Sequence, residues 1–196
     1  MPFHRATTVL YVHGFRSSSQ SRKAKQLGAW IAEHRPEVRF LSPDLSFDPA
    51  TALTLLETAC GACVPSELTL VGSSLGGFYA LVLAERFGCK AVLLNPSLRP
   101  YETLRAHLGA QTNLYSGEPF VFEARHLDFL RVRAIEKVAR PENYFPIVEM
   151  GDELLDHRRT LEYFAGSHSI VVTGGDHELK SFPQHIPRLI AFAEGG

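Results

Sequence analysis

Leu68-Thr69-Leu70-Val71-Gly72-Ser73-Ser74-Leu75-Gly76-Gly77 joins a β-rich apolar run to an apolar helical pattern with no room for a loop between them. A serine at the tip of so tight a strand-to-helix turn must take a strained backbone conformation, and its hydroxyl then stands clear of the sheet. The residues two before and two after it are crowded together, so both must be small. Gly72 and Gly76 meet that demand around Ser74. Centring the turn on Ser73 instead would put Val71 and Leu75 in the crowded positions. Ser74 is therefore the candidate nucleophile.

Working outward, short apolar runs alternate with longer helical patterns, the signature of an α/β domain. The strand candidates are Thr8–Val12, Val38–Leu41, Leu68–Gly72, Ala91–Leu94, Phe145–Glu149 and Ile170–Thr173. Most are continuously apolar, as strands covered on both faces should be. Between them, Ala24, Leu27, Gly28 and Ile31 draw one stripe within Ser21–His34, which Pro36 ends. Pro49–Ala62 follows Asp48 as a plausible N-cap. Leu75–Phe87 is apolar almost all round, with Gly88 to end it. Near the C-terminus Ile186, Leu189, Ile190 and Ala193 repeat the helical spacing, and Pro187 suits the first turn. The stretch 96–141 breaks the rhythm with Arg, His, Tyr and Glu, and with Gly109, Gly117 and Pro119 as interruptions. It reads as an insertion of two or three short helices, since a structureless connection of that length is rare in a compact domain.

A serine hydroxyl is a weak nucleophile at neutral pH and needs a base, itself oriented by a third group. In this architecture the partners follow in the order Ser, Asp or Glu, His, on loops at the carboxyl ends of later strands. Asp152 follows the Phe145–Glu149 run and is the better-placed acid; Asp156, about one helical turn on, is the alternative. His177, in Gly174-Gly175-Asp176-His177 after the last strand, is the base. His157 and His185 fall in helical patterns and His168 precedes the last strand, so these read as structural or solvated. Asp176 reads as a turn former. A tetrahedral intermediate also needs two N–H donors. The Leu75 N–H is one by position, and the Phe15 N–H, in the Tyr11-Val12-His13-Gly14-Phe15 loop, is the other.

Composition narrows the field. The 196 residues are 45% hydrophobic and 21% charged, which excludes a disordered tail or a coiled coil. A chain of this length removes about 70% of its unfolded surface from water, so a self-sufficient core is expected, with one domain over residues 1–196. Twenty Lys+Arg against 21 Asp+Glu leave a formal charge of −1, with no field to draw the chain to nucleic acid or an anionic membrane. Met1-Pro2-Phe3-His4-Arg5 followed by Thr7–Val12 is too short and too β-branched for a signal-peptide core or a membrane span, and the expected location is the cytoplasm. Cys60, Cys63 and Cys89 are an odd set that fits free thiols, and Cys60-Gly-Ala-Cys63 lacks the second pair of a zinc site. Gly72–Gly77 also lacks the Lys-Ser/Thr ending of a phosphate loop and the order of a dinucleotide site. The chemistry calls for no cofactor and no metal.

Tyr11-Val12-His13-Gly14-Phe15, Gly72–Gly77, Asn95-Pro96-Ser97-Leu98-Arg99-Pro100, Gly151-Asp-Glu-Leu-Leu-Asp156 and Gly174–His177 together resemble the YqiA/YcfP-like family of small bacterial esterases, within the α/β-hydrolase superfamily. The resemblance implies a three-layer fold with a mostly parallel central sheet flanked by helices, and a short helical lid at about 96–141. It also implies Ser74, Asp152 and His177 as a triad, and a small-molecule ester or acyl-thioester as substrate, cleaved through an acyl-enzyme. Asn95–Pro100 would lead from a strand end into the lid. Acyl transfer to an acceptor other than water, and a non-catalytic binding module on the same fold, are the alternatives. Arg99, Arg125 and His126 read as solvated surface, against the alternative of a site for an anionic leaving group such as a coenzyme A phosphate.

Overall fold

Most of the six strand candidates are apolar runs with no polar face to spare, and such runs are satisfied only inside a sheet covered on both sides. In the computed structural model, which describes residues 7–195, they form one parallel sheet. Met1–Arg5, part of the N-terminal reading, and the last residue of the 1–196 span lie outside the described residues. The strands are β1 (Thr8–Val12), β2 (Arg39–Leu41), β3 (Leu68–Ser73), β4 (Lys90–Leu94), β7 (Tyr144–Glu149) and β8 (Ile170–Val172), in the order β2-β1-β3-β4-β7-β8. All neighbours run parallel, with Val12 opposite Gly72 and Ser73 opposite Leu94 at the carboxyl ends.

Side-chain alternation along each strand feeds two separate cores. Leu10, Val12, Leu68, Leu70 and Leu93 pack on one face under α2 (Pro49–Gly61) and α3 (Leu75–Phe87). Val9, Tyr11, Val71, Val92 and Ile147 pack on the other under α1 (Arg22–His34) and α7 (Phe182–Glu194). This is the three-layer α/β-hydrolase fold. Local chemistry sets the helix ends: the Asp48 carboxylate accepts from the Thr51 N–H at 2.9 Å, Pro49 occupies the first turn of α2, and Gly88 closes α3 in the left-handed region at φ 68°. Among the described residues no helix is long and apolar enough to cross a membrane.

Two local expectations need correction. The C-terminal helix starts at Phe182, so Pro183 takes the first turn and Pro187 lies inside the helix. Phe182 is fully buried and extends the stripe of Ile186, Leu189 and Ile190 by one turn. That burial outweighs the one helical hydrogen bond Pro187 cannot make. The stretch 96–141 does hold short helices, α4 (Pro100–Thr103) and α5 (Ala124–Arg131), but between them lies an antiparallel hairpin of β5 (Gly109–Thr112) and β6 (Pro119–Phe122). Its sign in the sequence is the alternation Phe120-Val121-Phe122, in which both phenylalanines are buried and the valine exposed.

Gly76 fits only because it has no side chain: a Cβ there would sit 2.0 Å from the Val12 carbonyl oxygen, which is backbone and cannot swing away. Gly76→Ala is expected to destabilise the fold by about 1–3 kcal/mol or more through overpacking. A lowered urea midpoint by circular dichroism checks this.

Candidate active site

The carboxyl ends of β1, β3, β4, β7 and β8 share one edge of the sheet, and Ser74, Asp152, His177 and Phe15 sit on the connections leaving that edge, with Leu75 the first residue of α3. Ser74 stands between β3 and α3 at φ 54° and ψ −118°, a conformation that L-residues rarely adopt. Close packing over-determines it. A Cβ on Gly72 would lie 2.2 Å from the Gly76 oxygen, and one on Gly77 would lie 2.7 Å from Pro96 Cβ. Hydrogen bonds complete the clamp: the Ser74 N–H donates to the Leu94 oxygen at 3.1 Å, and the Ser74 carbonyl accepts from Gly77 at 2.9 Å and Ser97 at 3.0 Å.

His177 Nε2 lies 3.0 Å from Ser74 Oγ, and His177 Nδ1 lies 2.8 Å from Asp152 Oδ2. The Asp152 side chain is almost wholly buried. Burial alone would raise its pKa, but the hydrogen bond and charge of His177, with the Leu154 and Leu155 N–H groups donating to Oδ1 at 2.9 Å, hold it below the usual carboxylate value. An ionised carboxylate only accepts, so Nδ1 carries the imidazole proton and Nε2 presents its lone pair to the serine hydroxyl. Asp156, the alternative acid, instead caps α6 (His157–Tyr163), its Oδ1 accepting from the Arg158 N–H at 3.0 Å. Asp176 accepts from the Glu178 N–H at 3.0 Å, a turn contact.

The loop after β1 brings Phe15 beside the serine turn. His13 is buried, with its pKa lowered by desolvation, and its Nε2 accepts from the Leu45 N–H at 3.1 Å. Its proton therefore sits on Nδ1 and donates to the Gly14 oxygen at 3.0 Å. In a trans peptide the N–H points opposite to the C=O, so His13 fixes the direction of the Phe15 N–H by holding the Gly14 carbonyl. Neither the Phe15 nor the Leu75 N–H donates to another described group. Gly14 leaves the approach open: a Cβ on it would come within 3.3 Å of Ser74 Cβ. Three hydrogen bonds tie the next residues to the hairpin: Arg16 Nε to the Thr112 oxygen at 2.8 Å, Leu114 N to the Arg16 oxygen at 2.9 Å, and Asn113 Nδ2 to the Ser17 oxygen at 3.0 Å.

A buried polar brace behind His177 escaped the sequence reading. Glu149, at the end of β7, is buried and accepts from the Asp176 N–H at 2.7 Å, the Ser181 N–H at 3.1 Å and Ser181 Oγ at 2.5 Å. Gly175, at φ 77°, is required there, because a Cβ would lie 2.1 Å from Glu149 Oε2. Asn95, at φ 40°, accepts from the Glu149 N–H at 2.9 Å and donates to the Asp176 oxygen at 3.1 Å. An acidic residue closing an otherwise apolar strand was the available signal for Glu149.

Of the three basic residues read as surface, Arg99 and Arg125 are exposed and paired, with Glu102 and with Glu123 and Asp48 respectively. His126 is not surface. It is buried against Phe47 and Phe122, its Nδ1 accepting from the Glu123 N–H at 3.0 Å, and burial and the nearby Arg125 lower its pKa. Its Nε2 lies 3.2 Å from Asp48 Oδ2 without the alignment of a hydrogen bond. Cys60 and Cys89 are buried free thiols, each pushed up to about 12 by desolvation. Among the described residues no group of three or more His, Cys, Asp or Glu is placed to hold a metal ion.

Fold and site geometry together define an α/β-hydrolase-fold protein with a serine, a histidine and an aspartate in hydrogen-bond series. The chain belongs to the uncharacterised protein family UPF0227, whose family model matches residues 8–194. A UPF0227 protein of Vibrio vulnificus is 23% identical over 192 residues, spanning 95% of this chain and 98% of its own. Among solved structures, the esterase domain of a Rhodothermus marinus protein superposes with a TM-score of 0.71 at 19% identity, over 99% of this chain and 90% of that one. Mouse α/β-hydrolase domain-containing protein 10 gives 0.69 at 16%, over 95% and 89%. At such identities the structural likeness is one of fold.

Two outcomes follow from the geometry alone. Glu149→Ala strands the Asp176 and Ser181 donors and is expected to cost about 1–3 kcal/mol, read as a lower urea midpoint with faster amide exchange around residues 175–181. Because the folded pKa of Asp152 is depressed, its stabilisation is complete above the unfolded value of about 3.9 and is lost as pH falls through the lower folded value. Urea midpoints of the wild type and Asp152→Asn should therefore differ near neutrality, begin to approach one another below about pH 4, and converge once the pH is below the depressed folded value.

Proposed function

We propose that this chain is a serine hydrolase that cleaves carboxylic esters or thioesters through an acyl-enzyme, with Ser74 as nucleophile, His177 as general base and acid, and Asp152 as the group that orients the imidazole. The observation that carries the reading is the unbroken series from Ser74 Oγ through His177 to Asp152, at 3.0 and 2.8 Å, on a strained turn that presents the hydroxyl outward.

In the first half-reaction Ser74 Oγ attacks the acyl carbon while His177 Nε2 takes the hydroxyl proton. The carbonyl oxygen becomes an oxyanion, received by the Phe15 and Leu75 N–H groups; one such donor is worth about 2.7–4 kcal/mol at the transition state. As the intermediate collapses, the bond to the leaving oxygen or sulfur breaks, and the imidazolium returns its proton to that atom. Water then attacks the acyl-serine by the same proton route, releasing the acid and restoring Ser74. Asp152 stabilises the imidazolium and is not itself protonated.

In this reading the whole chain acts as one domain, and the 96–141 segment covers the site through its hairpin. A non-catalytic binding module on the same fold would have no need of all three groups in mutual hydrogen-bond reach around an otherwise costly backbone conformation. Ser74→Ala or His177→Ala should lower kcat on p-nitrophenyl acetate by about 10⁴-fold or more, and Asp152→Asn by about 10⁴-fold, with circular dichroism unchanged. Near wild-type turnover by Ser74→Ala would overturn the assignment. Asp156→Asn should leave turnover nearly intact.

A further inference from the structure

We propose that the chamber beside the serine turn is the acyl pocket and that it selects short apolar acyl groups, up to about six carbons. The proposal rests on the hydrolase reading and adds to it a substrate range and the residues that set it.

The chamber has a volume of about 200 Å³, with Phe15, Leu45, Phe47, Leu75 and Phe120 on its apolar side and a polar side that includes Ser17, Ser46 and Asn113. Phe15 and Leu75 are the residues whose unengaged N–H groups are suited to receive the oxyanion. An acyl group with its oxygen between those amides therefore starts its chain at the mouth of this chamber. At roughly 30 Å³ for each water-sized group, such a volume holds about six or seven non-hydrogen atoms.

The far wall is aromatic and braced. Phe120, from β6, stacks on Phe47 at 4.7 Å with planes 16° apart, and Phe15 meets Phe120 edge-on at 5.9 Å. The three hydrogen bonds between the hairpin and Arg16 and Ser17, one donated by Arg16 and two by Asn113 and Leu114, tie this wall to the oxyanion loop. Two charged residues border the chamber, Arg16 and Glu118; they are opposite in sign and select no acidic acyl group. A larger cavity, about 620 Å³, lies between Pro96–Thr103 and Leu154–Tyr163, but neither Phe15 nor Leu75 borders it, and it carries more carboxylates than guanidinium groups.

Within the chamber each buried methylene should raise kcat/KM by roughly fourfold, and beyond its depth the gain should reverse. The test is kcat/KM on p-nitrophenyl acetate, butanoate, hexanoate, octanoate and decanoate, for the wild type, Phe47→Ala and Phe120→Ala. Each protein is also treated with a small alkyl fluorophosphonate that labels an activated serine. The wild type is expected to peak at butanoate or hexanoate and to fall at least about tenfold by decanoate. Truncating either phenylalanine should move the peak two or more carbons longer. Phe47 is half-exposed, so its truncation keeps the test valid if Phe120→Ala fails to fold. Labelling of Ser74 with a wild-type profile flat or rising through decanoate, or with a folded Phe47→Ala that keeps the wild-type peak, overturns the pocket and leaves the hydrolase standing. No labelling of Ser74 and no turnover of any ester overturns both.

Discussion

The left-handed backbone at Ser74 is the constraint on which the rest of the structure depends. A non-glycine residue held there costs of order 1–3 kcal/mol and persists only where its surroundings leave no alternative. Here they are supplied from three directions: Gly76 lies against the end of β1, Gly77 against Pro96, and the Ser74 peptide groups bond to Leu94 and Ser97. The strands that create the turn thus also lock it. Relaxing any one of those contacts would let the serine fall back toward an ordinary helix start, with its hydroxyl withdrawn.

Parallel pairing then does the gathering. Ser74, Asp152 and His177 are far apart in sequence, yet they leave the same sheet edge on β3, β7 and β8, with β4 between β3 and β7 contributing Asn95. Two shells of interaction with different physics meet there. Ser74 and His177 are partly exposed, whereas Glu149 and Asn95 behind them are buried and satisfied mostly by backbone groups of β7 and the His177 loop. A satisfied buried network of this kind rigidifies what it touches. Its position under His177 makes the imidazole's place a property of the core and not of an exposed loop.

How much of this was legible in the sequence follows from the range of each interaction. The six strands, the turn around Ser74 and the placing of Asp152 and His177 at one sheet edge are written in local signals: continuous apolar runs, glycines at fixed offsets, polar residues just past strand ends. The serine turn requires Gly76 to be small, yet its tightest neighbour is Val12 on another strand, not Gly72. Features set by long-range partners were missed. The hairpin of β5 and β6 forms because Phe120 and Phe122 find Phe15 and Phe47. Helix α7 begins early because Phe182 has a core to enter, and His126 is buried because Asp48 and Phe47 happen to lie opposite.

A hairpin with four residues in each strand is marginal in water on its own and borrows its order from what it leans on. The inner strands of the main sheet, β1, β3, β4 and β7, are by contrast buried almost throughout. Cooperative units of such unequal cohesion open separately, the weaker at lower free energy. On warming, the small antiparallel flap would let go of the loop carrying Phe15 while the six-stranded body stayed intact, so heat inactivation would precede calorimetric melting and would reverse on cooling.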